Sequence, residues 1–321
     1  MSPSLIRNLL EFQNYWYSVL PQKYGRIEFQ CDSQNENPAI SEDRSICAFT
    51  GGIDSTYSIY RHASGVCGQM KRKIEAALFV HGFDIPLSDK EAYNRAFATN
   101  QETLDFFKIK LFGIETNHKE LNPDWNYTHG AGIASSLSFF QKHFSEGIIP
   151  ATYTYPESGL AWGSNPVSDH FMSSRSFSIF HDGAVWGRGF KLIPLKEWKF
   201  GYDRMRVCYS AEEKDKNCGR CGKCVITMLT ATIFKCPLPE SFPHALNKEL
   251  FDNMDELDEV HLLHLENMSK MYSMVLPFKT QIQRVIKANK QRLEQVSKRE
   301  RTKFHFQMAT EKLKKLITPK N

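Results

Sequence analysis

Four cysteines and one glycine turn carry most of the chemistry this sequence can offer. Cys208, Cys218, Cys221 and Cys224 follow a C-x9-C-x2-C-x2-C spacing. Two overlapping C-x-x-C turns bring three sulfurs to one point, and Gly219 and Gly222 let the backbone turn so that amides face them. That is the donor set of a tetrahedral zinc site. A pair of disulfides or a redox dithiol are the other fates of such cysteines; metal is favoured because no secretory signal opens the sequence and the other cysteines have no matching partners. Four thiolates leave no open coordination position, so the zinc is expected to be structural. The reaction chemistry is expected at Thr50-Gly-Gly-Ile-Asp-Ser-Thr, where a strand runs into a Gly-Gly turn and then a helix. Such a corner points several backbone N–H groups and a helix dipole at one place, which suits a phosphate. Thr50, Ser55 and Thr56 add hydroxyls to the amides of Gly51 and Gly52. Asp54 either orients the loop or helps to hold Mg²⁺ on the phosphates. The alternative is an ordinary strand-turn-helix corner in which Asp and Ser are caps.

The elements that must position these residues follow from periodicity. Short apolar runs at 45–49, 75–81, 109–115, 148–154 and 176–180 are expected to be strands, with helical segments opening at 57 and over 132–141 between them. Buried strands alternating with helices predict an α/β fold, a doubly wound parallel sheet. Residues 1–43 are expected to form an N-terminal extension that starts with a helix. Residues 44–236 form the sheet domain with its zinc knuckle, and 237–321 a helical basic C-terminal region. There, helical patterns are expected at 225–234, 246–276 and around Ile282, Val285, Ile286, Leu293 and Val296.

Length and 41 % hydrophobic content are enough for a real core. No stretch approaches the ~18 to 20 apolar residues of a membrane span, so the chain is expected to be cytoplasmic. The net charge of +5 comes from the tail: residues 279–321 hold thirteen Lys or Arg against three Glu. A solvated helix face is the first reading of that charge, nucleic-acid contact the second and a docked protein partner the third. No RNA-binding signature accompanies it, and nucleic acid is not favoured.

The motif Thr50-Gly-Gly-Ile-Asp-Ser-Thr resembles the SGGxDS signature of the PP-loop ATP pyrophosphatase superfamily, with Thr for the first Ser. Together with Val207-Cys-Tyr and Cys218-Gly-Arg-Cys-Gly-Lys-Cys it is similar to the 7-cyano-7-deazaguanine synthase branch of queuosine-type pathways, over roughly residues 44–236. The resemblance implies a Rossmann-like sheet of PP-loop type. It implies that Thr50, Gly51, Gly52, Asp54, Ser55 and Thr56 hold ATP and Mg²⁺, with Asp54 and Ser55 at the reacting centre. It places Thr128-His-Gly-Ala-Gly-Ile-Ala, with Gly130 and Gly132, as a second loop at the nucleotide, a turn before a helix. Trp162-Gly-Ser-Asn-Pro-Val-Ser-Asp-His and Arg175 fall where the family faces its substrate. Asp169 would accept from an amidine edge and Arg175 would meet a carboxylate. Ile193-Pro-Leu-Lys matches a strand end in the family. The second strand departs from the pattern, ending Val80-His-Gly-Phe-Asp instead of in Tyr-Gly-Gln, and both terminal extensions are foreign to the stand-alone enzyme.

Among the remaining candidates, His81 and Asp84 end a strand at the sheet's carboxyl edge, where they either touch the nucleotide or are loop residues. His181-Asp-Gly-Ala reads as a strand-ending turn before an acid/base pair. Tyr153, Tyr155 and Trp162 either stack on a heterocycle or pack in the core. Cys47 and Cys67 lack the neighbours of a reactive thiolate, Cys236 is an alternative ligand to Cys208, and His261 and His264 are expected at a surface or an interface. The resemblance implies adenylation of a small carboxylate, a 7-carboxy-7-deazaguanine-like acid, with pyrophosphate released and the acyl group passed to an amine. Ammonia leads to an amide and then a nitrile; a protein amine leads to a conjugate, as for a specialised relative with a protein partner in a bacterial defence operon. The alternatives are an RNA-thiolating PP-loop enzyme, which needs a persulfide-bearing cysteine near the loop, and a catalytically silent nucleotide-binding partner.

Overall fold

Short apolar runs bounded by turn residues become five strands: β1 (Ser45–Ala48), β2 (Ile74–His81), β3 (Lys110–Glu115), β4 (Glu146–Pro150) and β5 (Ser178–Asp182). All are parallel, in the order β3-β2-β1-β4-β5. The structure, a computed structural model, describes residues 1–121, 124–254 and 256–296. Its helices are α1 (Pro3–Val19), α2 (Ile53–Ala63), α3 (Lys90–Asp105), α4 (His118–Leu121), α5 (Trp125–Ser138), α6 (Arg188–Leu195), α7 (Lys199–Asp203), α8 (Gly222–Ile233) and α9 (Glu259–Met271), with α10 over 279–296. The result is the doubly wound, Rossmann-like sheet expected from the sequence, with a cysteine knuckle and C-terminal helices. No described helix is long and apolar enough to cross a membrane.

The chain divides into two compact units, 1–218 with 230–243, and 219–229 with the residues from His244 on. In the first, Ile46, Leu78, Val80, Ile149 and Ile179 share a core with Ala134 and Leu137 of α5. On β5, Asp182 is buried and bound to α2: Ser58 Oγ donates to it at 2.6 Å, while Arg61 and His62 lie 3.2 and 3.1 Å away. This fixes the helix that follows the phosphate loop. Ser2 caps α1, accepting from Leu5 N–H, with Pro3 at the helix start. The strand order reverses between β1 and β4, so the crevice outside their carboxyl ends is the topological switch point where ligands bind in open α/β sheets. In the second unit, Phe251, Leu262, Leu265, Ile282 and Val285 are buried, and the enclosed Asn289 side chain accepts from Leu257 N–H and donates to Met254 O.

Several local expectations change. The fourth strand ends at Pro150, which leaves Tyr153 and Thr154 in a loop; the fifth starts at Ser178. Residues 128–134 are not a turn before a helix but lie inside α5. Their glycines serve close packing: a Cβ on Gly130 would sit 2.0 Å from Gly163 O. Ile193-Pro-Leu belongs to α6, whose residues three apart share a face. The pattern over 246–276 breaks into a 3-10 turn (Glu249–Asn253) and α9, which Asp258 starts by accepting from His261 N–H. His261 is accordingly buried. Phe304, Phe306, Leu313, Leu316 and the tail's basic residues beyond 296 lie outside the described residues.

Candidate functional site

The turn after β1 is built for close approach. Gly51 has φ +75°, in the left-handed region that favours glycine. A Cβ there would lie 2.5 Å from Asn100 Oδ1, whereas one on Gly52 would meet nothing closer than Thr50 Oγ1 at 3.3 Å. The hydroxyls brace the loop: Ser55 Oγ accepts from Thr50 N–H at 3.3 Å and donates to Gly52 O at 3.2 Å, and Thr50 Oγ1 accepts from Gly52 N–H at 3.4 Å. Thr56 is buried in the first turn of α2. Gly52 caps α2 with no side-chain hydrogen bond to the amides of the helix's first turn. Arg206 clasps the loop from outside, its N–H donating to Gly51 O at 2.8 Å and its guanidinium to Thr50 O at 3.3 Å. Asp84 lies 3.5 Å from the same guanidinium.

Two features of this corner escape sequence reading. Asn100, on α3, is 4 % exposed, and its Nδ2 has no partner beside the loop. Asp54 is gripped by α6: Lys191 Nζ donates to Oδ1 at 2.8 Å, and Arg188 donates to Oδ2 at 3.1 and 3.2 Å. Lys191 is fully buried and also donates to Ala151 O, just past β4. Burial by itself would raise the Asp54 carboxyl, but the Lys191 and Arg188 charges outweigh it and hold the group below its ordinary value. Two fixed cations, an uncapped helix end and an unpartnered amide fit a polyphosphate. Asp54 has both oxygens engaged, with one donor on Oδ1 and two on Oδ2, which leaves Oδ1 the lone pair that could face Mg²⁺.

These geometries separate the two loop glycines. Gly51→Ala is expected to destabilise the fold by about 1 to 2 kcal/mol, because it forces a side chain into the left-handed region against Asn100. Gly52→Ala, on extended backbone, should cost less. Urea melts of the two variants that came out in the opposite order would contradict this account of the turn.

The other candidates are dispersed. His81 is enclosed by protein, its ring stacked 4.3 Å from that of Tyr93 and its Nε2 2.8 Å from Pro86 O. Gly130 and Gly132 are buried, the latter against His118 and Phe83. Arg175 precedes β5 at the sheet's amino edge, where its N–H donates to Ser4 Oγ, and it is not brought to the phosphate loop. Asp169 is fully buried: Oδ1 accepts from Asn165 N–H at 3.1 Å, and Oδ2 from Ser164 Oγ at 2.7 Å and His181 Nδ1 at 2.8 Å. Trp162 meets Tyr153 edge-on at 5.4 Å and His129 at 4.9 Å; Tyr155 is exposed.

The four cysteine sulfurs lie within 4.8 Å of one another and none is in a disulfide. Four thiolates at ~2.3 Å from a central ion would be ~3.8 Å apart, so the donor set fits a tetrahedral metal. Asn217 holds the approach to the first ligand by accepting from Val207 and Cys208 N–H at 2.9 and 3.2 Å and donating to Met205 O at 2.8 Å. Gly219 takes φ +71° between the second and third ligands. Cys236 is not in this cluster, and Cys47 is buried, its thiol pushed well up by desolvation.

Models of known protein families and curated protein sequences give no match to this chain. The Rossmann-like sheet and a cysteine cluster able to hold a metal are consistent with a nucleotide-binding, enzyme-like fold.

Proposed function

We propose that this protein is a PP-loop enzyme that uses ATP to adenylate a carboxylate, releases pyrophosphate and passes the acyl group to an amine. The observation that carries the reading is the loop at the switch point: Gly51 in a left-handed conformation, the amino end of α2 free of a side-chain cap, and Asp54 flanked by Arg188 and Lys191. Thr50, Gly51, Gly52, Ser55 and Thr56 would hold the phosphates through amides and hydroxyls. Arg188 and Lys191 would offset charge that builds up as pyrophosphate leaves. Bound Mg²⁺ supplies Lewis-acid neutralisation of the phosphates. Catalysis here is positioning and charge neutralisation, and it calls for no nucleophilic side chain. The cysteine cluster is assigned to structural zinc, because four thiolates leave no position for substrate.

The substrate class rests on the motif resemblance to the 7-cyano-7-deazaguanine synthase branch and on the aromatic rings around Trp162. A planar deazapurine acid could lie against such rings, and Asp169 would order the segment that carries them. The acceptor is ammonia or an amine of a protein partner.

The test is a product assay with ATP, Mg²⁺ and 7-carboxy-7-deazaguanine. The expected products are AMP and pyrophosphate, formed faster when the acid is present. Release of ADP and phosphate would exclude adenylation. Pyrophosphate release indifferent to the acid would remove the protein from the deazapurine branch.

A further inference from the structure

At the carboxyl end of β5 sits a histidine whose two nitrogens have different fates. His181 is 8 % exposed. Its Nδ1 is 2.8 Å from Asp169 Oδ2, an oxygen that also accepts from Ser164 Oγ at 2.7 Å. An ionised carboxylate only accepts, so Nδ1 carries the proton, and in the neutral form of the ring Nε2 presents a lone pair. That Nε2 is buried and has no hydrogen-bond partner. Leaving a buried polar atom unpaired costs about 1 to 3 kcal/mol, so such an atom calls for an explanation. Two further buried polar atoms of the same segment, Trp162 Nε1 and Ser168 Oγ, also lack partners.

The position suits a reaction at the sheet's edge. His181 pairs in register with Ile149 of β4, whose neighbour on the other side is β1, the strand that feeds the phosphate loop. Two strand spacings, about 10 Å, separate β5 from β1, so His181 stands on the same carboxyl edge of the sheet as the glycine turn.

We propose that His181 and Asp169 form an acid/base dyad in which His181 Nε2 takes the proton from the amine that attacks the activated acyl group. The proposal rests on the adenylation reading above and assigns its second half-reaction. The amine lone pair forms the C–N bond to the acyl carbon. The bond from that carbon to the phosphate oxygen breaks, and its electron pair leaves with AMP. The proton lost by nitrogen passes to His181 Nε2, and Asp169, acting through Nδ1 as a positioning residue, balances the new charge.

Two nucleophiles separate this role from a structural one. Hydroxylamine is unprotonated at neutral pH and reactive enough to attack activated acyl groups and then lose its proton to solvent, whereas ammonia is mostly ammonium there and a weaker nucleophile, and depends more on a positioned base. The full-length protein, with ATP, Mg²⁺ and 7-carboxy-7-deazaguanine, is supplied with either nucleophile, and hydroxamate and amide are quantified. In His181→Gln, the ratio of amide to hydroxamate is expected to fall by about 100-fold or more, the usual range for losing a general base. Asp169→Asn should move the ratio in the same direction by a smaller factor. An unchanged ratio in His181→Gln overturns the dyad. Equal loss of both products in both variants assigns the pair to the fold and overturns it as well. If the wild-type protein yields no hydroxamate, the adenylation reading itself falls, and the dyad's proposed step falls with it.

Discussion

Stripping the metal from the cysteine cluster is expected to abolish cooperative folding of the knuckle, and it is the largest effect we anticipate. Structural zinc held by four ligands contributes an apparent ~10 to 16 kcal/mol at neutral pH, comparable with the whole stability of a domain, about 5 to 15 kcal/mol. The four sulfurs are already gathered within 4.8 Å, and Asn217 orders the backbone at Cys208. Without an ion they are four thiols with no disulfide among them. Protein purified without added zinc should contain about one equivalent per chain, and chelation should release it together with a collapse of the thermal transition. Cys221→Ser should act in the same direction. A chelated protein that melts unchanged, or a preparation whose cysteines all react at once with a thiol reagent while it is fully folded, would refute the assignment.

Asp54→Ala is expected to cost about 3 to 5 kcal/mol, the usual penalty for leaving a buried charge without its partner. Lys191 would keep only Ala151 O, in a place with no access to water. AMP formation should be lost too, because α6 would no longer hold its place beside the loop. The double variant Asp54→Ala, Lys191→Met should recover much of the stability and none of the activity, since replacing a whole buried pair with apolar groups costs far less than breaking it. The pair also sets an acid limit. Asp54 is held below its ordinary value, so its contribution is complete above about pH 4 and is lost as pH falls through the lowered value. Urea midpoints across the acid range should show wild-type stability falling there and Asp54→Ala falling less. Parallel curves would overturn the charge argument.

Sequence signals exposed what is local and missed what is assembled across the chain. The first three strands were legible because buried parallel strands are short apolar runs bounded by turn residues. The cysteine spacing and the Gly-Gly turn were legible because ligands and phosphate loops require their residues close together. The grip of Arg188 and Lys191 on Asp54 spans 134 and 137 positions, and no period or motif announces it. Asn100 gives no sign on α3 that its amide faces Gly51. Gly130 and Gly132 resembled a turn because glycine does mark turns; here it admits a neighbouring backbone against a helix. Asp169 and His181 were each noticed and not joined, since only the turn ending at Met172 and the start of β5 at Ser178 bring them together.

Lys191 and Arg188 differ in a way that limits how α6 can move. Lys191 ties the helix to two elements at once, α2 through Asp54 and the end of β4 through Ala151 O, and it is sealed from solvent. Arg188, one turn earlier, holds Asp54 alone and keeps part of its side chain in solvent. An anion drawn to the loop competes first for Arg188, the tether it can reach. With that tether surrendered and the other intact, the amino end of α6 would lose its ionic hold on the loop and keep its packing of Gly189 and Phe190 on Phe234. The loop side of the helix is thus held by charge, which an anion can displace, and the other side by Leu192 and Leu195 in the core, which it cannot.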